Sequence, residues 1–333
     1  MVTMLTVLAG CDKPDSSKPK SVSSPLRPVM GTFARSICVA DDEKTAKLGN
    51  KAAYKKLVAI DKMMSDYLEE SQLSKVNNNA FTEPVKVDDE LFHVISKSIE
   101  YSQMSEGAFD ITIGPVVDLW HKAEESKQKP TSAQIAAAKS KVGYEKLILD
   151  PVNKTVKFNV EGMRLDLGAI AKGYAIDQAI EAMKQTGATG GMIDAGGDIR
   201  CFGKPAKKTK WAIGLQSPDE DSELLMVIEL GNKSIATSGD YQRFVILDGQ
   251  KYSHIMEPAK AKSTKGLTSV TVVAEKAIDS DALATTVTVM GIEKGLKLLD
   301  SIEGAEGYIV PSDPEKKIRF TAGFDNYIRK EKS

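Results

Sequence analysis

The 333-residue chain has no excess of either charge: 45 Lys and Arg stand against 46 Asp and Glu, a net charge of −1. No broad basic field is therefore available for nucleic acid, which is excluded as a partner. Long apolar runs are missing as well. No internal stretch approaches the roughly 20 apolar residues of a membrane-spanning helix. Cysteine is scarce, and Cys11, Cys38 and Cys201 lack the CxxC spacing of a zinc site. Cys38 falls in the alternating run Phe33–Val39, which reads as a strand, so its simplest role is that of a small buried hydrophobe. A Cys38–Cys201 disulfide in an oxidising compartment is left open by the sequence. No internal repeat is found, and there is no second linker beyond residue 28. What is present is ordinary globular composition, 41% hydrophobic and 27% charged. The length suffices for one large domain or two small ones.

The start differs from the rest. Residues 1–11 form an apolar leader without the usual positive n-region, ending in Leu8-Ala9-Gly10-Cys11. This resembles a bacterial lipobox, in which the cysteine is acylated and becomes the mature N-terminus; a plain secretory leader or a disordered terminus is the other reading. Residues 12–27 are mostly Asp, Lys, Pro and Ser and read as a polar tether. Asp12, directly after the cysteine, resembles an inner-membrane retention signal. Residues 28–333 read as one globular domain.

Helical spacing predicts helices over Ala46–Tyr67, Leu91–Met104, Ser132–Val142, Ile170–Gln185, Asp281–Met290 and Ile292–Ile302. Strands are predicted at Leu147–Asp150, Thr155–Val160, Gly191–Ala195 and Thr268–Ala274. A hairpin of Tyr241–Leu247 and Lys251–Met256 turns at Asp248-Gly249. Helices and hairpins without regular βαβ alternation imply an α+β fold with flanking helices, not a doubly wound sheet.

Three segments carry candidate chemistry. In Asp279-Ser280-Asp281, the Ser or Asp reads as an N-cap, and Asp281 and Thr285 share one face of the helix that follows. A carboxylate and a hydroxyl so placed suit a hard cation such as Mg²⁺; an acidic first turn with an interior Thr is the bland alternative. In Asp166–Ala175 a strand enters a small-residue turn and then a helix, where backbone approaches a ligand closely and an anion is favoured. Lys172 would meet a phosphate there and Asp166 would accept hydrogen bonds, unless this is a packed corner with a surface Lys. Gly196-Gly197-Asp198 is a backbone nest for anions or a tight turn. Gly107–Pro115 is a similar small-residue loop with one carboxylate, Asp110. Of the histidines, His93 reads as a helix residue and His121 has no evident partner. His254, at a strand end, is an acid–base candidate or a satisfied strand residue.

Taken in order, these segments resemble the ApbE family of FAD:protein FMN transferases over nearly all of residues 28–300. The motifs are Met30-Gly31-Thr32, Met64–Tyr67 with Ser71–Ser74, Gly107–Pro115 with Leu119-Trp120, Asp166–Ala175, Gly196–Asp198, Thr237–Tyr241, Ser253–Ile255 and Asp281–Gly291. The resemblance implies a single T-fold-like domain. It implies FAD as substrate, contacted by Met30, Tyr67, Ala108, Phe109, Asp110, Asp166, Lys172 and Ile255. It implies Mg²⁺ on the Ala169 carbonyl, Asp281 and Thr285, with His254 and Lys172 catalytic. The implied reaction moves FMN to a threonine of an acceptor protein, with AMP released. The acceptors expected are flavoprotein subunits of membrane redox complexes, met by an enzyme anchored through Cys11 on the periplasmic side of the inner membrane. Two segments depart from the family pattern: Glu257–Lys262 after the His motif, and His121–Glu124 after Trp120. Hydrolysis of FAD to FMN and AMP, an FAD-carrying lipoprotein without turnover, and self-flavinylation at Thr186–Thr189 are competing readings.

Overall fold

The structure, a computed structural model, describes residues 19–217, 224–239 and 244–330. The apolar leader, Cys11 and residues 240–243 lie outside the described residues. None of the described helices is long and apolar enough to cross a membrane.

The described chain opens with β1 (Lys20–Ser23) and β2 (Arg27–Val29), both antiparallel to β3 (Thr32–Ala40). The stretch expected as tether through residue 27 therefore already contains sheet. A short Ser-rich edge strand has the composition of a linker. What fixes it is pairing, aided by Asn50, whose Nδ2 donates to the Val22 carbonyl at 2.9 Å.

Helix α1 (Glu43–Met64) begins three residues before the expected start because Asp42 caps it, accepting from the Thr45 amide at 2.8 Å. After α2 (Gln72–Asn79) and β4 (Val85–Lys86) come α3 (Asp89–Met104), α4 (Gly114–Ser126) and α5 (Ser132–Lys139). β5 (Leu147–Asp150) and β6 (Thr155–Phe158) follow, and join β4 in a small sheet ordered β4-β6-β5. α6 (Ala171–Lys184) leads into β7 (Gly190–Ala195) and β8 (Asp198–Gly203). β9 (Trp211–Gln216) pairs with β10 (Leu224–Leu230), and β11 (Ser234–Gly239) returns to the main sheet. β12 (Phe244–Leu247) and β13 (Gln250–Ser253) form the expected hairpin. Its turn residues Asp248 and Gly249 have φ of 50° and 71°, the backbone a two-residue hairpin turn demands. β14 (Met256–Glu257) pairs with β15 (Lys262–Ser263). β16 (Leu267–Ala274), α7 (Ala277–Met290), α8 (Ile292–Asp300), β17 (Glu306–Pro311) and β18 (Arg319–Phe320) complete the order.

The main sheet runs β1-β3-β7-β8-β11-β16-β17-β18, with β2 beside β3, and each of these pairings is antiparallel. That is the α+β architecture expected. One face packs on α1, α6 and α7 in the largest apolar cluster, which includes Ile60, Ile176 and Leu283. The other face is covered by β9, β10 and the C-terminal segment through Trp211, Ile228 and Phe324. Cys38 is buried in the first cluster and Cys201 in the second, both as free thiols, so the pair does not form a disulfide. Burial alone pushes the Cys38 thiol up to about 11.

Helices α6 and α7 cap one another. α7 starts four residues before the expected Asp281, and the residue before it, Lys276, supplies no side-chain cap. Neither Asp279 nor Ser280 serves as the cap, since both lie inside the helix. Instead Asp177 of α6 accepts from the Ala277 amide at 2.8 Å and the Ile278 amide at 3.0 Å. In return, Asp281 of α7 accepts from the Gly173 amide in the first turn of α6 at 2.9 Å. Each helix thus satisfies orphan donors of the other, with a carboxylate at the positive end of each dipole. Arg200 of β8 holds Asp177 at 2.8 Å. Burial raises the Asp177 pKa, against the pull of Arg200 and the two amides.

The crossing requires glycine at one position. A Cβ on Gly173 would lie 2.2 Å from the Ala277 carbonyl oxygen, and neither backbone can yield without parting the helices. Gly173→Ala is expected to cost about 3 kcal/mol, the upper range for overpacking. Gly231→Ala meets no atom within 4 Å and should stay within about 0.5 kcal/mol of wild type. Urea denaturation of the two variants checks this; equal midpoints would contradict it.

Candidate active site

Several turns converge on one cleft of about 410 Å³. Its floor is the α6–α7 crossing. Lys172, the second residue of α6, reaches between Asp198, at the start of β8, and Asp281. Its Nζ lies 3.4 Å from Asp281 Oδ1 and in direct contact with Asp198 Oδ2. Asp198 is 4% exposed and Asp281 3%. Burial pushes Asp198 up to about 7, opposed by Lys172 and reinforced by the Asp281 charge. Burial acts to lower the Lys172 pKa, but the two carboxylates overcome it and hold the amine above the ordinary lysine value. One turn beyond Asp281, the Thr285 hydroxyl lies 3.2 Å from the Ser238 hydroxyl at the end of β11. The Ala169 carbonyl borders the same space.

The walls are tight turns. At the β2–β3 turn, Met30 and Gly31 have φ of 53° and 66°, and the Met30 amide donates to Asp61 of α1 at 2.9 Å. After α3, Gly107 turns the chain with φ of 80°, and the Phe109 amide donates to Ser105 Oγ at 2.9 Å. The Phe109 ring is 2% exposed and packs edge-on against Tyr101, so it backs the wall more than it fills the cleft. Asp110 accepts from the Thr112 amide and hydroxyl with one oxygen and from the Tyr144 amide with the other. Its carboxylate thus organises its own loop, and burial raises its pKa against those bonds. Asp166 accepts from the Gly168 amide at 2.7 Å, shaping the turn into α6; burial raises its pKa too.

The rim is more open. His254 follows β13 and is exposed, while Ile255 beside it is buried. Tyr67 is 79% exposed. The two segments that depart from the expected pattern meet here: Trp120 Nε1 donates to the Ala261 carbonyl at 3.2 Å, and both His121 and Pro258 border the cleft. His93 stays apart on the surface of α3, its ring 5.8 Å from that of Tyr174.

Met30, Tyr67, Ala108, Phe109, Asp110 and Asp166 all line this one cleft, as do Ala169, Lys172, His254, Ile255, Asp281 and Thr285. Cys11 lies outside the described residues. Sequence reasoning places Ser238 only within the Thr237–Tyr241 motif and Asp198 only within the Gly196–Asp198 anion nest or turn, and does not name Asp61. The Gly-Gly before Asp198 was the available signal, because it ends β7 and points β8 back across the α6 terminus. Among the described residues there is no cluster of three or more His, Cys, Asp or Glu able to cage a metal. The donors present are carboxylate, hydroxyl and carbonyl oxygens. They fit a hard cation that keeps waters and shares a substrate's phosphates, not a zinc ion.

The sequence matches the family model described as the ApbE family over residues 30–309. It is 30% identical to the FAD:protein FMN transferase of Vibrio cholerae serotype O1, over 98% of this chain and 97% of that one. It is 31% identical to the enzyme of that name from Haemophilus influenzae, over 94% and 92%. Among solved structures, the ApbE protein of Thermotoga maritima superposes with a TM-score of 0.84 at 30% identity, covering 94% of this chain and 100% of that one. The flavin transferase ApbE of Vibrio cholerae gives 0.81 at 28%, covering 93% and 99%.

Asp198 links the cleft to pH. Its folded pKa lies above the unfolded value of about 3.9. Between about 4 and about 7 the folded protein therefore keeps a proton that the unfolded chain has lost, and stability falls as pH rises through that window. Asp198→Asn removes this loss. Its stability relative to wild type should rise from pH 5 to pH 8 in urea titrations, and parallel curves would contradict the assignment.

Proposed function

We propose, because this chain belongs to the ApbE family, that it transfers the FMN portion of FAD to a threonine hydroxyl of an acceptor protein, with Mg²⁺, and releases AMP. The observation that carries the reading is the floor of the cleft. A lysine ammonium, two buried carboxylates and a hydroxyl pair converge there at the start of a helix, beneath an exposed histidine and an exposed tyrosine.

The chemistry follows from those groups. FAD is a dianionic pyrophosphate with a flat ring at each end. The start of α6 and Lys172 supply positive potential for the phosphates. Tyr67 at the rim presents a ring face on which a flat heterocycle can stack. In the transfer, the acceptor threonine oxygen bonds to the FMN-side phosphorus and the pyrophosphate P–O bond breaks. The electron pair leaves with AMP, and the threonine proton passes to His254. Lys172 meets the negative charge that grows on the phosphate oxygens. Asp281, Thr285 and the Ala169 carbonyl would hold Mg²⁺, which when bound neutralises pyrophosphate charge and so favours departure of AMP. For that, Lys172 must share Asp281 with the metal, since one Asp281 oxygen is already committed to the Gly173 amide.

The leader is proposed to end at an acylated Cys11. That would anchor the protein to the periplasmic face of the inner membrane, beside flavoprotein subunits of membrane redox complexes.

Incubation with FAD, Mg²⁺ and candidate acceptor subunits, read by in-gel flavin fluorescence, tests the activity. Wild type should label the acceptor, and EDTA should abolish labelling. Asp281→Ala should lower the rate roughly 100-fold or more, since loss of a metal's charge stabilisation removes several kcal/mol. FMN and AMP free in solution beside an unlabelled acceptor would show hydrolysis instead. Intact FAD throughout would show a carrier.

A further inference from the structure

The end of the main sheet opposite the cleft carries a basic surface. The cross-strand row Ser21–Val39–Gly190–Gly203 crosses β1, β3, β7 and β8 at that end. Directly after Gly203, the loop before β9 presents Lys204, Lys207, Lys208 and Lys210, all exposed. None of the four forms an ion pair with a described residue, whereas Lys184 and Lys233 are neutralised by Glu181 and Glu275. The C-terminal segment adds to this surface: Arg329 and Lys330 face Lys208 and Lys210 across a shallow groove. The acids there are Glu229, which binds Arg329 at 2.9 Å, and the exposed Asp325. The chain as a whole is nearly neutral at −1, so this is a local concentration of charge and not a general one.

The described chain enters at this same end, because Lys20 pairs with Ala40, one residue beyond the row. The described chain therefore begins at the same end as the lysine loop, three strand spacings of about 4.8 Å from β8. At up to about 3.5 Å per residue, the stretch from Cys11 to Lys20 reaches on the order of 30 Å. The cleft turns at Met30-Gly31 and Gly196-Gly197 stand at the other end of β3 and β7, about 20 Å away along a six-residue strand.

We infer that the lysine loop and the C-terminal basic residues form a docking face for an anionic lipid surface, which turns the cleft away from the bilayer. A basic surface gains affinity for anionic headgroups with each Lys or Arg brought close, and only within about a Debye length. A short N-terminal tether at the same end supplies that proximity. A single acyl chain anchors only marginally, and a basic patch is the kind of second signal that makes anchoring stable. The inference takes from the proposed function only the site of the tether and the outward-facing cleft; the charge is there without acylation.

The test uses the full chain with Cys11→Ser, so that no acyl chain contributes. It is sedimented with phosphatidylcholine vesicles, with and without phosphatidylglycerol. The protein should bind the anionic vesicles and not the neutral ones, and high salt should release it. K207E/K208E/K210E, all in an exposed loop, should bind at least about tenfold more weakly. Its circular dichroism and its flavin transfer to a soluble acceptor should match the parent. Failure of both proteins to transfer flavin would count against the activity and leave the lipid result standing. A fluorophore on Lys208→Cys should be quenched by a headgroup quencher, and one on Ala259→Cys at the cleft rim should not. Equal binding to both kinds of vesicle, unchanged binding by the triple variant, equal quenching at the two positions, or preference for an RNA polyanion over vesicles would each overturn the inference.

Discussion

The structure depends on two carboxylates exchanged between two helices. Asp177 of α6 holds the first amides of α7, and Asp281 of α7 holds the Gly173 amide of α6. Both contacts are buried, so neither helix can shift along the other without stranding donors where no water replaces the lost bond. Gly173 lets the backbones approach closely enough for both bonds at once. Arg200 ties the arrangement to β8, and so to the sheet. Asp281 works twice. One oxygen fixes the helix crossing and the other faces Lys172 in the cleft, so the cleft floor is as rigid as the fold beneath it.

That rigidity suits phosphoryl transfer, in which the protein contributes mainly position and charge. Lys172 between two buried carboxylates is a preformed ionic cluster whose groups already lie in place. A buried ion pair of this kind is poor evidence of stability, because desolvation offsets the attraction. Burial raises the Asp198 pKa despite the lysine in contact with it, the direction such a desolvation cost gives. On the proposed function, such a cluster is better explained by what it would do for an incoming pyrophosphate.

The sequence made the local elements legible wherever a residue acts on its own neighbours. The turn at Asp248-Gly249 and the span of β5 match their signals, because turn conformation and short-range pairing are local. α2 and α4 gave weak signals, the first with eight residues and few apolar positions, the second opening on Gly114-Pro115 with no side-chain cap. The start of α7 was misplaced for a specific reason: its cap is Asp177, a hundred residues earlier in the chain. No window of neighbouring residues contains that partner. The same limit hid the contacts of Ser238 with Thr285 and of Asp198 with Lys172, which form only when β8 and β11 lie beside α6 and α7. Edge strand β1 was hidden by its linker-like composition. The family motifs, in contrast, fall together around one cleft, several of them at its wall turns, such as Met30-Gly31 and Gly107, and others on helix α7 and strand β11.

The central claim is that the α6–α7 crossing is a preformed floor that opens only when the whole domain unfolds. Amide hydrogen exchange at Gly173, Ala277 and Ile278 tests it most directly. The account predicts that these three amides exchange only through global unfolding, as slowly as the core amides of α6 and with or without FAD. Rapid exchange at these positions while β7 and β16 stay protected would contradict it.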